Sequence, residues 1–283
     1  MGYSLAGTVL RNLPFHLHAL ELLVLLVVGL AHHRAVEERL ARRAMTTALV
    51  VLAVMISWPV GDLAARVSLS VAATQRLVVV LGVGPLLWRS VPLTQLTRWT
   101  TPHIVDWLAT KMVHPAVAMA TTTVLGAVTL SPPLVAWGSR DALGRVALLL
   151  LTLLAAVTLW GPVLGRVPGA KHLSSVGMGA YLFASALVVT SASFVWIFAV
   201  HPLYPTLHHV HQLLGLTPLE DQQVAGVIAK LGAFFVLWAI AFRVFFRDAD
   251  TEREGHTPLY VADVERLALR AARRQARRNP RLR

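Results

Sequence analysis

Seven stretches of this chain are too long and too apolar to fold against water: roughly 15–33, 44–60, 67–88, 113–137, 146–164, 176–200 and 222–246. Crossing a hydrocarbon core takes about 20 predominantly apolar residues. In lipid an unpaired backbone N–H or C=O is too costly, so each stretch must be helical. The expected fold class is therefore all-α, a polytopic membrane protein with seven transmembrane helices. Of the 283 residues, 56% are hydrophobic and 14% charged, too few charges to clothe a soluble domain of this size. The first stretch begins at Phe15 with no basic leader and no small-residue cleavage site after it. It is expected to be a retained helix. The chain has no cysteine, which excludes disulfides and thiolate metal sites.

Basic residues set the expected orientation. One set of connections carries Arg34, Arg39, Arg42 and Arg43, then Arg89, Arg98 and Lys111, then Arg166 and Lys171, then an arginine-rich tail. The alternate connections hold only Arg11, Arg66, Arg140 and Arg145, and none follows the sixth stretch. The positive-inside rule then places the N-terminus outside and the C-terminus in the cytoplasm. The net charge of +12 reflects topology and tail rather than nucleic-acid binding.

Residues 1–248 form the expected membrane domain and 249–283 a cytoplasmic tail. Within the tail, 257–279 has a partial apolar face (Val261, Val264, Leu267) opposite Arg266, Arg270, Arg273 and Arg277. Such a helix is expected to lie on anionic lipid. Residues 91–110, with Trp99 and Trp107, have the character of an interfacial segment.

The chemistry-bearing residues gather on the expected outer side. His201, His208, His209 and His211, four of the chain's twelve histidines, fall within eleven residues of a loop that lacks Lys and Arg. Imidazole suits copper and zinc, and no cation repels a metal there. His18 and Glu21, three apart, share one face at the start of the first span. His201, His208, His209, His211, His18 and Glu21 are the candidate metal ligands, with capping or interfacial roles as the alternative.

Ionisable residues inside spans are expensive, so they are paired or functional. Arg76 lies in the third span, Lys230 in the seventh, and Asp221 just before the seventh. Arg76 is expected to pair with Glu21 or Asp221, tying spans one, three and seven. A retinal Schiff base on Lys230 is disfavoured, because the third span offers Arg76 rather than a carboxylate counter-ion.

The segment Leu203-Tyr204-Pro205 followed by Gly215-Leu-Thr-Pro218-Leu-Glu220-Asp221-Gln222-Gln223-x-Ala225-Gly226 resembles the CtaG family of caa-type cytochrome c oxidase assembly factors. Pro85-Leu-Leu, His114-Pro115 and Trp160-Gly-Pro162 follow the family in the same order, and the resemblance covers roughly 45–250. It implies a multi-span protein of the bacterial plasma membrane that supports oxidase maturation, aiding copper delivery at the outer face. Oxidase subunits or other assembly factors would be its partners.

The chain also departs from the family. Relatives carry His-x-x-x-His in the third span, where Ala72 and Arg76 stand here. The family histidines near the end of the fourth span and the start of the fifth are missing, with Arg145 near the latter. Ala229-Lys230 replace a common Met-Trp. Either metal handling has moved to the outer-loop histidines, or the chain keeps a scaffold role without metal, as an accessory subunit of a respiratory complex. A small-solute or ion transporter is the remaining class. It lacks a detectable inverted repeat. No nucleophile–base set or phosphate-binding glycine loop points to an enzyme.

Overall fold

The computed structural model describes residues 18–164, 167, 170, 173–204 and 215–255, with side chains up to 246, Leu20 excepted. All regular structure among these residues is helical. Four helical stretches are long and apolar enough to cross a membrane: Leu69–Ser90, Ala142–Leu164, Ser175–Ile197 and Pro218–Phe246. Two bent pairs raise the number to six if each is one span. The amphipathic tail expected at 257–279 lies outside the described residues, and the last helix runs unbroken past 248 to Gly255.

In chain order, α1 is Ala19–Ala35, α2 Arg39–Ile56 and α3 Val60–Arg66. Then α4, Leu69–Leu77, passes through a π-helical segment, Val78–Val83, into α5, Gly84–Ser90. Short helices α6, Leu93–Trp99, and α7, His103–Met112, precede α8, Pro115–Thr129, and α9, Pro132–Arg140. The chain closes with α10, Ala142–Leu164, α11, Ser175–Val188, α12, Ser193–Ile197, and α13, Pro218–Gly255.

Proline sets most of the breaks. The fourth expected span, 113–137, divides at Pro132. Steric clash with a proline ring disfavours helical geometry in the preceding residue. Ser131 is accordingly extended, α8 has ended at Thr129, and α9 starts afresh at Pro132. Pro59 acts similarly on the second span, where α2 and α3 meet at 54°. Pro115 sits in the first turn of α8, where its missing N–H costs nothing. There α7 turns by 80° from α8. Neither α6 nor α7 buries a residue, and Trp99 and Trp107 are both more than half exposed, which suits the interfacial character of 91–110.

Three apolar clusters hold the bundle. One joins Ala48 and Leu52 of α2 to Val79 and Val83 of the π segment. A second joins Leu159 and Trp160 of α10 to Tyr181, Leu182 and Leu237. The third sits under the functional region and includes Leu69, Ala72, Trp196, Tyr204 and Ala225. Two tryptophans stitch the π segment region to α10. Trp160 donates to the Val80 carbonyl at 2.8 Å, and Trp88 donates to the Val157 carbonyl at 2.8 Å. In lipid an indole N–H has no water to fall back on, so such bonds fix helix rotation as well as adding stability.

Candidate functional site

The start of α13 is built as a clamp. Thr217 and Glu220 form a reciprocal cap: the Glu220 amide donates to Thr217 Oγ1 at 3.2 Å, and Glu220 Oε2 accepts the Thr217 amide at 2.7 Å. The next residue, Asp221, is buried and reaches across to the start of α4. It accepts the Ser68 hydroxyl at 2.8 Å and the Leu69 amide at 2.6 Å. A carboxylate there satisfies orphan amides at a helix N-terminus and meets the positive end of its dipole. Gln222 accepts the Leu203 amide at 2.7 Å, and Gln223 donates to the Ala199 carbonyl at 3.2 Å. At Gly226 a Cβ would lie 3.0 Å from the Ser193 carbonyl oxygen, so only glycine lets α13 approach α12 this closely. The acidic and amide residues of this motif therefore engage backbone groups and hydroxyls of neighbouring elements.

Beneath the clamp, Tyr204 is buried. It accepts a hydrogen bond from Trp196 Nε1 at 2.6 Å and donates to the Leu130 carbonyl. Burial pushes its phenol up to about 12, against the opposing pulls of the Trp196 hydrogen bond and the Arg76 charge.

Arg76 opens onto a cavity of about 100 Å³ between α1, α3, α4, α9 and α10. Ala72, Arg76 and Arg145 all line it. They come from two helices far apart in sequence, and only the bundle brings them together. His18 and Glu21 line the same cavity, with His18 Nδ1 3.7 Å from Glu21 Oε1. Behind His18 stands Asp62 of α3, buried, with its Oδ2 3.5 Å from His18 Nε2. Asp62 was not among the sequence candidates. The available signal was a lone carboxylate in an apolar stretch three residues after Pro59.

The expected ion pair on Arg76 does not form among the described residues. Asp221 is committed to Ser68 and Leu69, and Glu21 sits against His18. The carboxylate that capped best won, because two orphan helix amides and a hydroxyl lie within reach of it. Lys230 is satisfied without a carboxylate. It donates to Thr190 Oγ1 at 3.0 Å and to the Leu187 carbonyl at 3.4 Å, and lies 4.6 Å from the Phe194 ring centroid. His114 is the exposed cap residue of α8, ahead of Pro115.

His201 is exposed in the loop before α13. His208, His209 and His211 lie outside the described residues. Among the described residues no group of three or more His, Asp or Glu side chains is arranged to hold a metal ion. The cavity itself does not fit a metal cation, since two guanidiniums line it.

The family model described as Cytochrome c oxidase caa3 assembly factor (Caa3_CtaG) matches residues 22–250, well over half of the chain. No curated protein and no solved structure matches.

Proposed function

Because the chain belongs to the cytochrome c oxidase caa3 assembly factor family, we propose that it supports maturation of that oxidase in the bacterial plasma membrane without being an enzyme itself. We place seven spans in the bilayer, with α1 in the first, the N-terminus outside and the C-terminus inside. The outer face then carries the loop with His201, His208, His209 and His211. Copper passing to the oxidase is cargo that this loop would take up, with His208 and His211 the leading pair. The observation that carries this reading is the family match together with two arginines, Arg76 and Arg145, on the cavity wall. A guanidinium is charged at physiological pH, so it opposes cation chemistry in the bundle interior and favours the loop.

The test is deletion of the gene with complementation. Loss of assembled oxidase, restored by the wild-type chain, is the expected result; a normal oxidase level in the deletion strain overturns the assembly role. Copper content of the purified protein tests the loop. His208→Ala with His211→Ala should lower it. A copper-free wild type that still restores the oxidase supports the second reading, a scaffold that contacts oxidase subunits or other assembly factors without metal. The same two arginines favour that second reading.

A further inference from the structure

Two cations on one cavity wall each carry a nitrogen without an acceptor among the described residues. Arg76 Nη1 and Arg145 Nε are both shut off from the protein surface and have no hydrogen-bond partner among the described residues. Both side chains line the 100 Å³ cavity. The other ionisable groups on that wall are His18 and Glu21. Glu21 lies against His18, and Asp62 sits behind the imidazole on its far side. Asp221 is spent on the α4 N-terminus, and Lys230 is held by Thr190 and Leu187. The cavity wall thus presents two guanidiniums against one carboxylate that is already engaged.

Such a wall is costly if left alone. An unmatched buried donor forfeits its hydration, and a buried cation forfeits more. Arginine cannot escape by losing its proton. Water can satisfy the N–H groups but leaves the excess charge. The cavity has room for a few waters or one small ion, and a guanidinium fork matches the oxygens of carboxylate or phosphate.

We propose that this cavity is an anion site that takes one small oxyanion, of carboxylate or phosphate type, between Arg76 and Arg145. Glu21 competes with the ligand for the same guanidiniums.

The experiment uses the full chain purified in a neutral detergent and a low-anion buffer. Inorganic phosphate and acetate are titrated while heat release and the thermal midpoint are followed. Wild type should show saturable binding of one of them with a rise in midpoint. Arg145→Gln should weaken binding about tenfold, the loss of one charge-assisted contact. Glu21→Gln should strengthen it by removing the competing carboxylate. Arg145→Lys keeps the charge without the fork, and its affinity should fall between wild type and Arg145→Gln. No saturable binding in wild type, equal binding in Arg145→Gln, or weaker binding in Glu21→Gln overturns the proposal and leaves a cavity filled by water or by Glu21.

Discussion

Asp221 holds Leu69 across 152 residues of chain: its Oδ2 accepts the Leu69 amide at 2.6 Å in a site closed to solvent. The same carboxylate accepts the Ser68 hydroxyl at 2.8 Å, and the Asp221 carbonyl accepts the Ser70 hydroxyl at 2.9 Å. One side chain therefore sets the height of α13 against α4, and with it the position of Arg76 two turns further on. Asp221→Ala strands the Leu69 and Ser70 amides and the Ser68 hydroxyl in the interior. The expected loss is about 2–4 kcal/mol, from a lost cap plus unsatisfied donors. Asp221→Asn should lose nearly as much, since its amide nitrogen meets a donor. Reversible unfolding in mixed micelles measures both, and a loss below about 0.5 kcal/mol, the scale of a neutral surface change, would show that the clamp is not what fixes the two helices.

Gly226 should tolerate no side chain. A Cβ there would sit 2.7 Å from Ile197 Cγ1 and 3.0 Å from the Ser193 oxygen, and the oxygen belongs to backbone that cannot step aside. Gly226→Ala is expected to cost about 1–3 kcal/mol through overpacking. Gly126 is the control: nothing lies within 4 Å of its added Cβ. Gly126→Ala in the interior of α8 should be neutral or stabilising by up to about 1 kcal/mol. The thermal midpoints of the two variants should move in opposite directions or differ clearly in size.

Trp160→Phe removes the N–H that reaches the Val80 carbonyl in the π segment. The ring volume is partly kept, so the measured loss isolates the hydrogen bond and a small cavity. It should be about 1–2 kcal/mol. Trp88→Phe, which loses the bond to Val157, should cost a similar amount. The two should not be additive, because both bonds tie the same pair of helices. Additive losses in the double variant would separate the two contacts energetically.

Tyr204 gives the protein a defined alkaline limit. Its folded-state phenol titrates near 12, chiefly through burial, while the unfolded value is about 10. The neutral form is the one the fold accepts. Its contribution is complete below pH 10 and is lost as pH rises from 10 through 12, at about 1.4 kcal/mol per pH unit for this single group. Stability of wild type minus Tyr204→Phe should be flat from pH 7 to pH 9 and fall above pH 10. A difference that is constant to pH 12 contradicts a buried, neutral phenol.

Orientation can be read with reporter fusions. Alkaline phosphatase joined near residue 210 should be active, and joined near residue 280 inactive, because the arginine-rich connections retain their side of the membrane in the cytoplasm. The reverse pattern inverts the topology and puts the histidine loop on the wrong side for oxidase copper.

Hydropathy alone carried the helical class and most span positions, because lipid leaves the backbone no other way to satisfy itself. Breaks at Pro59, Pro115 and Pro132 were written in the chain too, since proline acts locally. The motif around Asp221 was visible as a pattern, but its purpose was not. A carboxylate beside a span looks the same in sequence whether it meets a guanidinium or a helix N-terminus, and only the placement of Ser68 and Leu69 decided for the latter. The cavity was still less legible. Ala72, Arg76 and Arg145 are separate substitutions along the chain, and Asp62 is one acid among fourteen acidic residues. Packing of α1, α3, α4 and α10 turns the first three into one wall and sets Asp62 behind His18. Charge interacts through space rather than along sequence, so the sign of that cavity is a property of the tertiary fold alone.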